Sequence, residues 1–294
     1  MAEFALPARY HQAPATRRPP VAAPDLEDVH GLPRNRRSDE NAWMSTGPSP
    51  LLSAGDPDPL IVQNLGGSSP LLLVCDHAGR AIPRRLGNLG LKAADMDRHI
   101  AWDIGAGALA LELGSALDAC VVRQAYSRLV IDCNRWPGVH DLVPEVSDGT
   151  PIPGNAGLAA AQVRTRLDAI HAPYHDGIAG VLDRRLAEGR SVSVVSVHSF
   201  TPEMNGVARP WHVGVLHDGT SALSRRMLTL LCGEDGLVVG DNEPYSLGET
   251  DYTVPRHAQG RGLDYLELEV RQDLIEDEPG QVRMAGLLSR LLTS

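Results

Sequence analysis

Two histidines stand at the ends of apolar runs in this sequence. His77 ends LLLVCDH, and His198 ends SVVSVH. Neutral imidazole is a preferred zinc ligand, and catalytic zinc sites combine three protein ligands with one open position. A single histidine in such a place is typical of a hydrogen-bonded structural residue. Two of them, on two different strands, make a metal site an equally good interpretation.

A third candidate ligand lies in the run RHIAWDIGAG. If this run is helical, His99 and Asp103 are four residues apart and share one face of the helix. Either side chain can then bind a metal, or one can orient the other. A surface or capping pair is the alternative. His171 and His175 have the same spacing around Pro173, but the proline weakens the helical argument there and favours a packing role.

Two arginines flank the apolar part of YSRLVIDCNR. Arg128 precedes it, and Arg135 follows it directly after Asn134. A guanidinium offers two parallel donors to a carboxylate and an amide adds another, so Asn134 and Arg135 are suited to clamp a substrate carboxylate. The alternative is a structural ion pair with Asp132 or another nearby acid.

The run DYLELEVRQD alternates between apolar and polar residues, which is typical of a β-strand. Glu267 and Glu269 therefore point to the same face. If the apolar set packs on the core, this pair lines a polar cleft, and one glutamate can act as a general base for a water molecule. A solvated edge strand has the same alternation and is the alternative.

These residues need a scaffold, and the rest of the pattern predicts one. Strand-like runs alternate with helical segments, which is typical of a mostly parallel sheet covered by helices on both sides. Ligands of such sheets bind at the carboxyl ends of the strands, where both histidines stand. The predicted strands are PLLLVCDH, CVVRQ, LVIDC, SVSVVSVHSF, WHVGVLH, GLVVGD and DYLELEVRQ. The predicted helices are Asp95 to Leu117, Gly157 to Gly189 with a break or kink at Pro173, and QVRMAGLLSRLL.

The bulk composition limits the partners and the compartment. The formal net charge of -10 argues against a nucleic-acid partner. No apolar run reaches the roughly 18 residues that span a bilayer, so no membrane partner is expected. The four cysteines form no CxxC pair and no secretory leader is recognisable, which indicates the reducing cytoplasm. The oligomeric state is left open.

The chain is predicted to have two parts. Residues 1–58 are rich in proline and show no helical or strand period, so we expect a disordered tail. Residues 59–294 are expected to form one folded domain.

Six segments, taken together and in order, resemble the N-formylglutamate amidohydrolase family. They are CDHAGRAIP, HIAWDIGA, YSRLVIDCNR, HSFTP, RPWHVGVL and LEVRQDLI, and the resemblance covers about residues 60 to 293. It implies a three-layer α/β fold like that of zinc carboxypeptidases, with a central mixed, mostly parallel sheet of about eight strands flanked by helices. It also implies zinc-dependent hydrolysis of a small N-acyl amino acid, with release of formate or another acid.

For the metal, the resemblance implies that His77 and His198 bind Zn²⁺. Zinc carboxypeptidases take their second ligand, a glutamate, three residues after the first histidine, and here that position is Arg80. A carboxylate must therefore come from elsewhere in the chain, and Asp103 is our prediction. Asp76 is the alternative, but a strand residue adjacent to His77 points to the opposite face.

For catalysis, the resemblance implies that Glu269 is the catalytic base, with Glu267 as the poorer candidate. Arg128 resembles the arginine that steadies the developing oxyanion. The pair Asn134 and Arg135 resembles the clamp for the substrate carboxylate.

Arg209, in RPWHVGVL, is a candidate second anchor for this small anionic substrate. Two other functions use the same residues. One is a deacylase or peptidase that acts on another N-acyl amino acid or a small peptide. The other is a non-catalytic protein that binds a carboxylate ligand through Arg128, Arg135 and Arg209 and needs no stoichiometric zinc.

Overall fold

A seven-stranded sheet forms the centre of the protein in the computed structural model, which describes residues 51–248 and 251–294. Two small two-stranded hairpins lie outside this sheet. The strands are β1 (Leu60–Gln63), β2 (Leu71–Cys75), β3 (Cys120–Gln124), β4 (Val146–Ser147), β5 (Thr150–Pro151), β6 (Ser193–Phe200), β7 (Glu203–Met204), β8 (Val207–Ala208), β9 (Val213–Leu216), β10 (Val239–Asp241) and β11 (Tyr265–Arg271).

The strand order in the main sheet is β1-β3-β2-β6-β11-β9-β10. The four central strands, β3, β2, β6 and β11, are parallel, while β1 pairs antiparallel with β3 and β9 pairs antiparallel with β11. The prediction of a mixed, mostly parallel sheet is confirmed, with seven strands in the described ranges where about eight were expected. The central strands end together, which places the residues after β2 and β6 at one edge of the sheet.

Helices cover both faces of the sheet, so the three-layer prediction is also confirmed. Residues of α3 and α4 pack against one face, and residues of α2, α5 and α7 pack against the other. A hydrophobic core lies on each face of the sheet, and strand β2 contributes to both. Leu72 and Val74 face one core, while Leu71 and Leu73 face the other. The helices are α1 (Ala93–Met96), α2 (Ala106–Leu117), α3 (Ala160–Arg166), α4 (Ala172–Ala187), α5 (Ala222–Cys232), α6 (Thr253–His257) and α7 (Glu278–Thr293).

The predicted helix from Asp95 to Leu117 is wrong in its first half. The chain leaves α1 at Met96, runs through turns, and enters α2 only at Ala106. Gly105 precedes α2 with φ of 79°, and a Cβ atom there would collide with the carbonyl oxygen of Ile275. The helix therefore cannot be extended backwards through this glycine, and the segment before it is a turn.

The predicted strand LVIDC is also wrong. Residues 129–133 form turns and irregular chain, in which the backbone N–H of Asp132 donates to Leu142 O at 2.8 Å. The apolar side chains of this segment are buried, which gave it the composition of a strand. Burial without a neighbouring strand to pair with explains the error.

Where a break or kink was predicted near Pro173, the structure has a π-helical segment, Leu167–His171, between α3 and α4. Pro173 follows this segment, inside a helical run whose backbone is still right-handed helical at His171 and Ala172, so the run continues past the proline instead of ending there. The predicted C-terminal helix is α7, which packs on α2 and α5.

Residues 1–50 of the predicted tail lie outside the described residues. From Leu51 onwards the chain packs on the domain: Leu51 is buried, and the hydroxyl of Tyr126 donates to Pro57 O at 2.6 Å. The packed part therefore begins before the boundary expected at residue 58. No helix in the described ranges is long and apolar enough to cross a membrane.

Candidate active site

Three side chains converge where β2 and β6 end. His77 follows β2, His198 lies near the end of β6, and Asp103 lies in the turn before α2. The backbone N–H of Asp103 donates to His77 O at 2.9 Å, which fixes this turn against the strand end. Asp103 Oδ2 lies 2.9 Å from His198 Nδ1 and 3.4 Å from His77 Nδ1. All three side chains are buried. The structure thus brings together the three predicted metal ligands.

The far nitrogen of each imidazole is held by another polar group. His77 Nε2 lies 2.7 Å from Asp132 Oδ1. His198 Nε2 lies 3.1 Å from Ser196 Oγ and 3.5 Å from Asp76 Oδ2. Both rings therefore turn Nδ1 toward Asp103. Such carboxylate partners orient metal-binding histidines and increase their basicity.

The pKa values of these three side chains reflect their packing. Burial opposes protonation of His198, yet hydrogen bonds to Asp103 and Asp76 raise its pKa well above the ordinary value. Burial and Arg128 lower the pKa of His77, but Asp132 and Asp103 raise it, and the net direction is upward. Burial raises the pKa of Asp103, and the two histidines overcome this and lower it. Asp103 is therefore a permanent anion beside two basic rings.

The cluster fits a divalent metal ion. One ligand atom from each of His77, Asp103 and His198 lies within 4.8 Å of the others. Two imidazole nitrogens and one carboxylate oxygen form a donor set that suits zinc and leaves one position open. The second oxygen of Asp103 is bound separately, because Arg128 Nη1 donates to Oδ1 at 3.3 Å. That contact leaves Oδ2 for a metal.

Arg128 joins the acids around the cluster. Its Nε and Nη2 donate to Asp132 Oδ2 at 3.1 and 2.7 Å, in addition to the bond from Nη1 to Asp103. Arg128 thus forms the ion pair with Asp132 that the sequence offered as the alternative interpretation. These contacts use three of the five N–H groups of a guanidinium, which leaves two for a ligand in the cavity.

A cavity of about 700 Å³ opens beside the cluster, and its wall includes His77, Asp103, Arg128, Glu267 and Glu269. Both glutamates lie on β11 and are buried, so the edge-strand alternative is wrong. Burial raises the pKa of Glu269 to about 7 and that of Glu267 to about 8. In the sheet register Glu269 lies opposite His198. Because opposed residues of adjacent strands share a face, Glu269 is next to the cluster.

Asn134 and Arg135 also line the cavity, but acids of the same chain contact them. Arg135 Nε donates to Asp141 at 2.8 Å, and Nη1 donates to Asp251 Oδ1 at 3.1 Å. Asn134 Nδ2 lies 3.5 Å from the same oxygen of Asp251. The two donors predicted to clamp a substrate carboxylate thus face one carboxylate together, which here is internal.

Three further candidates lie away from the cluster. Arg209 donates to Tyr245 Oη at 2.9 Å, and its guanidinium lies 4.9 Å from the centre of that ring. Tyr245 lines the cavity, so Arg209 stands behind its wall.

His99 lines the cavity, 3.5 Å from Asp148, and shares no helix face with Asp103, contrary to the prediction. His175 is buried and contacts Cys133 O, consistent with the expected packing role.

The sequence interpretation gave no site role to Asp132. This residue holds His77, bonds Arg128, and accepts from the backbone N–H of Asn134 at 2.9 Å. The only local signal was its spacing of four residues from Arg128. Asp76 lies outside the cluster of His77, Asp103 and His198 and contacts the far nitrogen of His198. Arg80 pairs with Asp97 and lies over Trp102.

A buried donor set and two glutamates of raised pKa at the carboxyl ends of parallel strands define a candidate hydrolase of the α/β class. The comparisons with known proteins agree. The chain belongs to the N-formylglutamate amidohydrolase family, whose model matches residues 69–276. This membership supports a hydrolase that acts on an amide bond.

Solved structures that are similar to this protein include the following two. The gene product Atu2144 from Agrobacterium tumefaciens has 38% sequence identity and a TM-score of 0.80, over 83% of this chain and 96% of that one. N-formylglutamate amidohydrolase from Ralstonia eutropha has 20% identity and a TM-score of 0.60, over 80% of this chain and 96% of that one. The second likeness is one of fold. No curated protein sequence matches this chain.

Proposed function

We propose that this protein is a zinc-dependent amidohydrolase that cleaves small N-acyl amino acids such as N-formylglutamate, with release of formate or another acid and the free amino acid. The convergence of His77, Asp103 and His198 carries this proposal, beside a cavity that His77, Asp103 and Glu269 line. Family membership supplies the reaction class. The donor set supports the metal.

The three ligands would hold the ion through His77 Nδ1, His198 Nδ1 and Asp103 Oδ2. When bound, zinc supplies a Lewis acid that polarises a carbonyl and lowers the pKa of a water molecule toward neutrality. Asp132 keeps the His77 ring oriented through Nε2, while Ser196 and Asp76 do the same for His198. These contacts are already made in the protein, so little reorganisation accompanies binding.

Glu269 is the proposed general base. Its pKa of about 7 is close to neutral pH, where a base combines an adequate ionised fraction with sufficient strength. The carboxylate takes the proton of the attacking water and delivers it to the nitrogen of the leaving amine. Glu267, with a pKa of about 8, keeps its proton for longer and is the weaker candidate for this role.

Arg128 is proposed to stabilise the oxyanion through the N–H groups that its two acids leave free. Asn134 and Arg135 are proposed to bind the substrate carboxylate at the position where they now face Asp251. The substrate carboxylate would then replace Asp251 on these donors. Arg209 acts through the ring of Tyr245 at the cavity wall.

The direct test is amine release from a panel of N-formyl and N-acetyl amino acids, each as the free acid and as the α-amide. We expect cleavage of the N-formyl free acids, loss of activity after a chelator, and recovery with zinc. The α-amides should be poorer by roughly 30- to 150-fold in kcat/KM, because they lack a charge-assisted contact worth about 2 to 3 kcal/mol. Saturable binding of the free acids without turnover would instead support a carboxylate-binding protein.

A further inference from the structure

Asn134 is one member of a closed ring of hydrogen bonds beneath the cavity. Its Oδ1 accepts from the backbone N–H groups of Tyr252 and Thr253, both at 3.0 Å. Thr253 is the first residue of α6, so Asn134 caps the start of that helix. Only Nδ2 of the Asn134 side chain is left to face the cavity, where it points to Asp251.

The ring closes through two histidines. Helix α6 ends at His257, whose Nε2 lies 3.0 Å from His175 Nδ1 on α4. His175 Nε2 in turn lies 2.8 Å from the carbonyl oxygen of Cys133, the residue before Asn134. Both histidine side chains are buried. The ring therefore ties α6 and α4 to the same short turn.

The partners fix the tautomers of both rings. A carbonyl oxygen only accepts, so His175 Nε2 carries a proton and donates it to Cys133 O. His175 Nδ1 is then an acceptor in the neutral ring, and His257 Nε2 must donate to it. The two neutral imidazoles pass hydrogen bonds in one direction, from α6 to the turn.

A third histidine holds the other side of the turn. His171 Nε2 lies 3.1 Å from the carbonyl oxygen of Arg135. The carbonyl groups on both sides of Asn134 are thus bound by imidazoles that come from the π-helical segment and α4. The turn belongs to no helix or strand, so these bonds take the place of a sheet ladder in fixing its backbone.

We propose that His175 and His257 are positioning residues for the Asn134 and Arg135 clamp, and this inference rests on the proposed function. They act through the Cys133 carbonyl and through helix α6, and they touch no substrate. Their hydrogen bonds keep Asn134 Nδ2 and the Arg135 guanidinium on the cavity side of the turn. An apolar residue at either position would leave a buried polar partner without its hydrogen bond, and the turn would then rearrange to find another.

The test compares His257→Leu with His257→Gln. A glutamine Nε2 can occupy the place of His257 Nε2 and donate to His175, whereas leucine cannot. The measured quantity is the ratio of kcat/KM for an N-formyl free acid to that for its α-amide. For His257→Leu we expect the ratio to fall at least tenfold, through a higher KM for the free acid, while kcat/KM for the amide stays within about threefold. His257→Gln should keep most of the wild-type ratio.

Amide hydrogen exchange separates this inference from the proposed function. His257→Leu should speed exchange at Asn134, Arg135 and Thr253, and His257→Gln should not, whatever the substrate is. If wild-type protein cleaves no N-formyl amino acid while this exchange pattern is found, the proposed function fails and the positioning role holds. Wild-type exchange in His257→Leu, or an unchanged acid-to-amide ratio, overturns the inference.

A second variant covers the case in which His257→Leu does not fold. In His175→Gln, the glutamine Nε2 keeps the donor to Cys133 O but offers no acceptor at the place of Nδ1. We expect the same loss of preference for the free acid, with faster exchange at Thr253 than at Arg135. Retention of the wild-type ratio by this variant also overturns the inference.

Discussion

The carboxylate of Asp103 is the most heavily shared group of the site. Its Oδ2 faces both histidines and accepts from the backbone N–H of Ser199 at 3.2 Å, while Oδ1 accepts from Arg128. A buried carboxylate with this many partners stays ionised, which is the state that a metal ligand needs. In the proposed function, the aspartate would take the part that a glutamate after the first histidine has in zinc carboxypeptidases.

The first prediction concerns metal content. Purified protein should carry about one zinc ion per chain, and His77→Ala, His198→Ala and Asp103→Asn should each lose most of it, because a mononuclear site with three protein ligands does not tolerate the loss of one. His99→Ala is the matched control, since His99 lines the same cavity outside the cluster. The measurement is the zinc content per chain of each purified variant. Full occupancy in both His77→Ala and His198→Ala would exclude the assigned site.

The second prediction concerns the two glutamates of β11. Glu269→Gln keeps the shape of the side chain but removes its capacity to accept a proton. We expect unchanged zinc content and a fall in kcat of roughly two to four decades, the usual size of a general-base contribution. Glu267→Gln, on the same face of the strand, is the control and should lose much less. The reverse order of the two variants would identify Glu267 as the base.

At the scale of elements, the strands that carry the site could be predicted because their signals are local. Strand β2 is a short apolar run buried on both faces, and β11 shows its alternation directly. His77 and His198 could be placed at strand ends for the same reason. The position of Asp103 could not, because a hydrogen bond to His77 and the contact of Gly105 with Ile275 create its turn. Both are long-range features that no local period contains.

Asp132 was missed for a similar reason. Its turn looks like a strand in the sequence, and its role appears only when that turn lies beside His77. The edge of the sheet is therefore the element that assembles the site. The turns after β2 and β3 are held together there by hydrogen bonds from Ala81 N to Ala125 O at 3.1 Å and from Ser127 N to Ala81 O at 2.9 Å.

The third prediction tests this assembly through Gly79, which lies between His77 and Ala81. A Cβ atom on Gly79 would collide with the carbonyl oxygen of Ala125, so the two turns can approach only if this residue is glycine. Gly79→Ala should destabilise the protein by about 1 to 3 kcal/mol or more and should also reduce its zinc content, because His77 moves away from Asp132. Thermal unfolding and metal analysis measure the two effects.

The control for Gly79→Ala is Gly66→Ala. Gly66 has open space where its Cβ would lie, and alanine is compatible with its backbone. This variant should keep both the stability and the zinc content of wild type. If Gly79→Ala unfolded at the wild-type temperature with full zinc, close packing at this edge would not be what positions His77.

On the scale of the whole molecule, the buried histidines of residues 51–248 and 251–294 fall into two groups, one with raised and one with lowered pKa. His77 and His198, the proposed metal ligands, lie among acids, which raise their pKa. His171, His175 and His257 lie below the clamp, where burial lowers the pKa of each. The neutral tautomers of the hydrogen-bond ring require this lower pKa. A lower pH therefore destabilises the fold through protonation of the second group. This effect is separate from the protonation of the proposed metal ligands.

The last prediction follows from His257, whose pKa burial lowers from 6.5 to about 3. Between these two values the unfolded chain binds more protons than the folded protein. The free energy of unfolding must therefore fall as the pH decreases from about 6.5 toward 3. Well above pH 6.5 this group no longer affects folding, because it is neutral in both states. From pH 7 to pH 5 the contribution is roughly 2 kcal/mol.

His257→Gln isolates this contribution, because glutamine keeps the donor to His175 and does not titrate. Urea unfolding of both proteins at pH 7 and pH 5, after removal of metal by a chelator, gives four free energies of unfolding. Wild type should lose about 2 kcal/mol more than the variant over this interval. The ligand histidines contribute equally to both proteins and cancel in the difference. An equal loss in the two proteins would mean that His257 titrates normally in the fold, and the neutral hydrogen-bond ring that ties α6 to the clamp would have to be redrawn.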